Sequence, residues 1–382
     1  MPWTDFTLTV TTPLFNDHTD GSVRVSSLRG ALRFWFRALI GQRVGNNSEL
    51  LFKAEEHVFG STERLSPIRM RIHDQPESGT GRWGESLNGS ERAALCYLAG
   101  QGLTSGTTVA RRYIDSGQSI GLKVAFSDDE HANALFLASL WLMCAYGGVG
   151  ARTRRGFGGL HLKHRDGGLP EPWTAADLSP PGLDHYRSLK GLEPARLRDL
   201  CAPHLQALVP KPCSDDDRPE YPVLGEKYTL AGLSSRSFSG WAKAAARTGE
   251  VFKQFRSTGE YKGVILHTYR KPYPVGALGL PVNYYKGEVV QPEWSPSQGD
   301  SSSGAKETLR RASPLWLRFV CDPALEEWRV FSFAFHNKFL PTDRNHRVWL
   351  RNAADRNRQL DVTDTHVRER TGRWINSSLK SL

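Results

Sequence analysis

The chain has 382 residues, with 50 Lys and Arg against 40 Asp and Glu, a formal net charge of +10 at pH 7. That length holds two domains with cores of their own, and a hydrophobic content of 39% with 10% aromatics excludes a disordered chain. The cation excess points to an acidic partner, most economically nucleic acid, with acidic protein or lipid as the other options.

The first residues, Met-Pro-Trp-Thr-Asp-Phe, carry neither a basic segment nor an apolar run, so no secretory leader is expected. Phe6–Thr12 alternates apolar and polar residues, the period of a half-buried strand. A loop follows from Pro13 to Gly21 and contains Asp17, His18 and Asp20. Ser26 and Ser27 suit a helix N-cap. Leu28, Ala31, Leu32, Trp35, Phe36 and Leu39 then recur at amphipathic helical spacing, with Gly41 as the expected stop. Pro67–His73 alternates again, and Gln75 to Gly106 reads as a Gly- and Ser-rich insertion with a short apolar segment at Ala93–Leu98.

Ser119–Phe126 is strand-like, Glu130–Tyr146 predicts a strongly apolar helix, and Phe157–Leu162 reads as a closing strand. The apolar heart Ala134–Tyr146 is too short to span a bilayer. Strand, helix, strand, strand, helix, strand is the ferredoxin-like split pattern shared by RNA-recognition folds, here assigned to residues 1–166 of an α+β protein. Residues 167–222, rich in proline and charge, read as a connecting segment with a short helix at Pro194–Ala207. In residues 223–382, Trp241–Phe255 predicts a helix, and Leu278–Tyr285, Pro314–Val320 and Trp328–Phe335 predict strands. Ser295–Ala305 is a polar loop, and the charged tail Asn352–Arg373 suits a surface helix. Cys96, Cys144, Cys201, Cys213 and Cys321 are scattered and form no C-x-x-C pair, so neither a disulfide framework nor a zinc site is indicated. A reduced, cytoplasmic protein is expected.

The strongest local signal is residues 147–159, where Gly147, Gly148, Gly150, Gly156, Gly158 and Gly159 bracket Arg152, Arg154 and Arg155. Glycine lets backbone approach a ligand closely, and arginine presents a fork of donors matched to phosphate oxygens. The segment therefore suits a polyanion cradle, and equally a tight helix-to-strand turn with solvated arginines. Phe157 reads as core, and Gly159 stands where an RNA-recognition strand would carry a stacking aromatic, which favours phosphate binding over base stacking. The second signal is the helix start at Ser26–Ser27. Arg29, Arg33 and Arg37 fall four apart as one basic stripe, and the free N–H groups of the first turn favour an anion. Both elements are expected to meet at one sheet edge and follow one phosphate track.

Asp17, His18 and Asp20 admit two readings. A histidine there would suit a general base for a 2′-hydroxyl, and paired aspartates would hold Mg²⁺ beside a phosphate. The plainer reading is a polar turn. His57, His73, His161 and His164 are isolated, and Trp35, Trp141 and Trp241 sit at helical core spacing.

Several motifs together resemble the RAMP superfamily of CRISPR proteins. They are Pro13-Leu14-Phe15, the run from Ser26 to Trp35, Phe59-Gly60-Ser61, Ser66-Pro67 and Gly150 through Gly158. Leu278-Gly279-Leu280-Pro281, Arg311-Ala312-Ser313-Pro314 and Phe339-Leu340-Pro341 extend the resemblance into the second half. It is closest to the first RAMP subunit of the type III-B Cmr effector complex. The resemblance implies two ferredoxin-like domains joined by the Pro-rich connection. It implies a non-catalytic, cofactor-free and metal-free subunit of a hetero-oligomeric ribonucleoprotein, not bound to membrane, whose partners are crRNA, target RNA and other RAMP subunits. Contacts to the crRNA 3′ part or its target duplex are implied, carried here by Ser27, Arg29, Arg33, Gly150, Arg152, Arg154 and Arg155, to which the reading of the helix start and the loop adds Ser26, Arg37, Gly148 and Gly156 as RNA-binding candidates. The alternatives are an endoribonuclease using His18 or Asp17 with Asp20, and a scaffold for acidic partner proteins.

Overall fold

In β1 (Thr4–Val10), Phe6, Leu8 and Val10 are buried and the residues between them are partly open, as the alternation requires. The computed structural model places β1 inside a four-stranded antiparallel sheet and describes residues 2–16, 19–80, 83, 86–100, 102–213, 218–257, 272–284, 288–294, 309–322, 326–341, 346–351 and 357–382. Chain order in this half is α1 (Val25–Val44), α2 (Ser48–Phe59), β2 (Arg69–Asp74), α3 (Gly89–Ala99), the small hairpin β3 (Thr104–Ser105) and β4 (Thr108–Val109), β5 (Ser119–Ala125), α4 (Glu130–Tyr146) and β6 (Leu160–Asp166). The sheet runs β2-β5-β1-β6, the order that a β-α-β-β-α-β unit produces once its insertions are set aside.

Several boundaries differ from expectation. Helix α1 begins one residue after an extended Arg24, so Ser26 and Ser27 lie in its first turn and not at its cap. It also passes through Gly41, where Val223 packs so closely that a Cβ would meet it at 2.5 Å, and it stops at Gly45. Helix α2 went unread, although Asn47 caps it by accepting from the Leu50 amide at 2.9 Å. The insertion holds a full helix, α3, opened by the reciprocal Asn88–Glu91 capping box.

The Pro-rich segment carries α5 (Leu183–Ser188) and α6 (Ala195–Leu208), and its Trp173, Leu178, Leu192, Leu197 and Cys201 are buried in the same core as α4. It covers α4, whose residues from Ala132 to Tyr146 are all buried. That enclosure explains the absence of an apolar stripe: α4 meets protein on every side.

The second half contains β7 (Thr229–Leu233), α7 (Trp241–Arg256), β8 (Val282–Asn283), β9 (Val289–Trp294), β10 (Leu315–Asp322), β11 (Glu327–Phe335), β12 (His346–Arg351), β13 (Arg358–Leu360) and α8 (Asp364–Arg373), followed by a single wide turn at Trp374–Ser378. The expected strand at Leu278–Tyr285 is a 3-10 turn, Pro274–Leu278, leading into the two-residue β8. The polar loop Ser295–Ala305 lies outside the described residues. Of the tail expected to be helical, residues 352–356 lie outside the described residues, and the described part holds β13 before its helix begins at Asp364.

Three strands in the order β10-β11-β7 repeat the relative order β2-β5-β1 of the first sheet. Among the described residues no fourth strand lies beside β7. Instead the chain end returns to it, with the Arg236 amide donating to the Leu382 carbonyl at 2.8 Å. A separate sheet, β13-β12-β9-β8, packs its own small core around Val290, Val348 and Leu350. The halves are fused through shared cores: Trp316, Phe331, Phe333 and Phe335 join Trp35 and Tyr146, while Leu317 and Phe319 join Phe15 and Phe157.

Candidate nucleic-acid interface

Helix α4 ends at Tyr146 against the second half, and one residue fixes that end. Arg318, on β10 and 3% exposed, donates to the carbonyls of Gly147 (2.6 Å), Leu160 (2.9 Å) and Cys144. A guanidinium satisfies last-turn carbonyls and meets the negative end of the helix dipole. Burial pushes its pKa below the usual arginine value. The signal for Arg318 was present as a lone charge inside the apolar run Leu315–Val320.

Beyond this anchor, the loop glycines serve the chain itself. A Cβ on Gly150 would stand 2.2 Å from the Phe15 carbonyl, which accepts from the Ala151 amide at 2.6 Å. A Cβ on Gly158 would stand 2.0 Å from the Val149 carbonyl, and the Gly158 amide donates to Pro13 at 2.9 Å. Both glycines have positive φ, so any side chain there meets strain as well as collision. Gly156 is likewise buried against Phe319. Two loop amides remain: among the described residues, the Gly148 and Gly150 N–H groups donate no hydrogen bond within the chain.

The three loop arginines divide. Arg154 lies 5.0 Å from the Trp316 ring and 5.9 Å from Phe34, and donates to the Ser313 carbonyl at 2.6 Å. Arg155 lies 4.3 Å over Phe252. Burial lowers their pKa values to about 10 and about 9, helped by Arg311 and Arg256 respectively, so both stay cationic at neutral pH. These contacts bind the loop to β10 and α7. Arg152 is exposed, and it holds φ 63°, a left-handed conformation that costs a side-chain-bearing residue free energy.

The helix start and the loop do meet. Ser27 of α1, Gly148, Gly150, Thr153 and Arg154 line one open groove of roughly 450 Å³, with Phe34 and Trp316 at its floor. Among the described residues no carboxylate lines it, and the first turn of α1 contains no acidic residue. The groove adjoins a smaller hollow through Phe34, Arg154 and Trp316, where Arg311 supplies a second cation. Asn16, Phe34, Arg311 and Trp316 were not singled out as site residues, because the loop after β1, helix α1 and the stretch leading into β10 meet the glycine-arginine loop only in the fold.

The basic stripe of α1 does not run along this groove as one track. Arg37 is clamped by Glu55, and that ion pair raises its pKa. Arg33 donates to the Gly60 carbonyl at 2.5 Å and stands 3.6 Å from Glu55. The pair thus pins α2 to α1. Arg29 keeps a half-buried guanidinium, its pKa lowered by burial and by Arg33. Ser26 is exposed at the helix start. Of the candidate catalytic trio, Asp17 and His18 lie outside the described residues, and the Asp20 carboxylate accepts from the Ser22 amide at 2.8 Å, closing a turn. Among the described residues no helix is long and apolar enough to cross a membrane.

Residues 7–161 match the RAMP superfamily. The Cmr subunit Cmr1-2 of the CRISPR system of Pyrococcus furiosus is 32% identical over 177 residues, covering 41% of this chain and 94% of that protein. Subunit Cmr1-1 of the same organism is 26% identical over 332 residues, 85% of this chain and 84% of its own. The crystal structure of apo Cmr1 from P. furiosus shares the fold, with a TM-score of 0.59 and 20% identity over 98% of this chain and 97% of that one.

Proposed function

From the premise that the chain belongs to the RAMP superfamily, alongside the Cmr1 subunits of CRISPR systems, we propose that it is an RNA-binding, non-cleaving subunit of a type III-B effector ribonucleoprotein. Its place is beside other RAMP subunits, holding the 3′ region of crRNA or the guide–target duplex. Residues 1–166 and 223–382 are read as two ferredoxin-like units, the second diverged, with 167–222 packed between them. The observation that carries the reading is the groove where the α1 N-terminus meets the glycine-arginine loop, lined by Arg154 and, among the described residues, by no carboxylate. Its donors are the amides of Gly148, Gly150 and the first helical turn, with Arg154 inside, while the exposed Arg152 of the same loop reaches over Gly100. Backbone donors and arginines recognise phosphate without reading bases, so binding should be salt-sensitive and weakly sequence-dependent. Asp20, turned into its own loop, favours binding over cleavage.

The test is crosslinking of the assembled complex to crRNA and target carrying photoreactive nucleotides at known positions, combined with Ser27→Glu. A glutamate in the first turn suits the helix dipole, so folding is retained while the groove gains a negative charge. Crosslinks from the crRNA 3′ region to residues 148–154 that disappear in Ser27→Glu support the assignment. Crosslinks confined to surfaces away from the groove, unchanged in Ser27→Glu, overturn it.

A further inference from the structure

A second basic concavity lies at the start of α8. Asn337 and Phe339 face the hollow that holds Arg154 and Arg311, while the alternate residues His336 and Lys338 face this other pocket, of about 710 Å³. Among the described residues, Arg218, Lys227, Lys338 and Arg368 line it against one carboxylate, Asp364. That carboxylate is already engaged, with Arg218 at 2.9 Å and the Phe339 amide at 2.7 Å. Lys338 has Glu220 at 3.9 Å. Lys227, 5.4 Å from the Tyr228 ring, and Arg368 are exposed, and neither forms an ion pair among the described residues.

The first turn of α8, at Thr365, adds backbone N–H groups and the positive end of a ten-residue helix. His336, set among these groups, is pushed down to about 4, first by burial and then by Arg368 and Arg218. The groove between α3 and α7 offers a contrast. It is also basic, but two carboxylates line it and neutralise two of its four cations, Glu91 pairing with Lys243 at 2.9 Å and Glu250 with Arg247 at 2.5 Å, which leaves Arg236 and Lys253.

We propose that the pocket formed by Lys227, Arg368, Lys338 and the start of α8 is a phosphate-binding site. The phosphate group comes either from RNA backbone, which extends the reading above into the second half, or from a free nucleotide or inorganic phosphate, which is independent of it. Arginine and lysine with helix amides form the donor set that phosphate oxygens take.

The full chain is compared with K227A/R368A and with Thr365→Glu, whose added charge suits the helix start but opposes an anion. One arm measures Tm with inorganic phosphate against chloride at equal ionic strength. The other measures affinity for a fluorescein-labelled single-stranded RNA across a salt series. Phosphate is expected to raise the wild-type Tm by about 2 °C, with the rise lost in both variants. For RNA, the slope of log K against log salt should fall by about 1.4 in K227A/R368A, near 0.7 for each lost phosphate contact. Loss of the thermal effect alone assigns the site to free phosphate, and loss of slope alone assigns it to RNA. Wild-type behaviour of both variants in both arms overturns the site. RNA binding that falls in Ser27→Glu but not in these variants leaves the groove standing and removes the RNA source here.

Discussion

The two arginine-rich segments look alike in sequence and end in different employment. On α1, Arg33 and Arg37 meet a carboxylate and the carbonyls closing α2, and become ties between two helices of one layer. In the loop, Arg154 and Arg155 find no carboxylate among the described residues and lie on aromatic faces of the second half, becoming ties between halves. Arg152 is exposed, in a backbone conformation that glycine would hold at lower cost. An arginine paired with a carboxylate has its charge neutralised. One stacked on an aromatic ring keeps it, so the loop still projects cationic charge into its groove.

The sharpest way to break this comparison is at Arg318, on which the loop depends. Arg318→Met leaves the carbonyls of Cys144, Gly147 and Leu160 without their donor, and the expected cost is about 3–5 kcal/mol, read by chemical denaturation. Wild-type stability in this variant would show that the helix end is satisfied in another way. Next in size, Arg155→Ala removes a cation from the Phe252 face and buried contacts from α7, an expected loss of about 1–3 kcal/mol. If RNA affinity falls while stability holds, Arg155 is a phosphate ligand and not a tie.

Acid exposes a comparable burial effect. His161, His185 and His336 are held near pKa 4 by burial, well below an unfolded value near 6.5. Between those limits the unfolded chain binds more protons, so stability falls as pH drops from 6.5 to 4 and these groups add no further loss below 4. A Tm series across that window should show the slope, and His336→Gln should make it shallower.

Smaller still, Arg37→Ala should cost under about 1 kcal/mol, since the arginine side chain is 47% exposed and solvent screens the pair. RNA affinity should not change. The finest separation comes from Arg152→Gly, expected to keep or slightly raise Tm by relieving the left-handed backbone. The same change should weaken RNA binding about three- to tenfold at low salt, measured by fluorescence anisotropy. An unaltered affinity would leave Arg152 with no part in the interface.

The first half was largely legible from local sequence. Alternation at Phe6–Val10 and Ser119–Ala125 and the unbroken apolar run of α4 each report one element, and their order matches the observed sheet. The amphipathic pattern of α1 was read correctly, but its C-terminal end was not, because the helix runs through Gly41, on which Val223 packs from far along the chain. In the second half α7, β10 and β11 lie where their patterns place them, whereas β7, β9, β12 and β13 were not legible. Short strands such as β8 and β13 carry too few residues to show a period, and β7 pairs with β11 across nearly a hundred residues.

Charge, composition and the glycine-arginine motif by themselves determined that the chain presents a cationic loop after an apolar helix. The tertiary structure decided which arginine serves which purpose. A guanidinium can pair with carboxylate, carbonyl, ring or solvent, and only the fold determines which partner lies within reach. Arg318 makes the same point from the other side. Its three carbonyl acceptors come from residues about 160 to 170 positions earlier, so its role as the loop's anchor exists only once β10 has docked on α4.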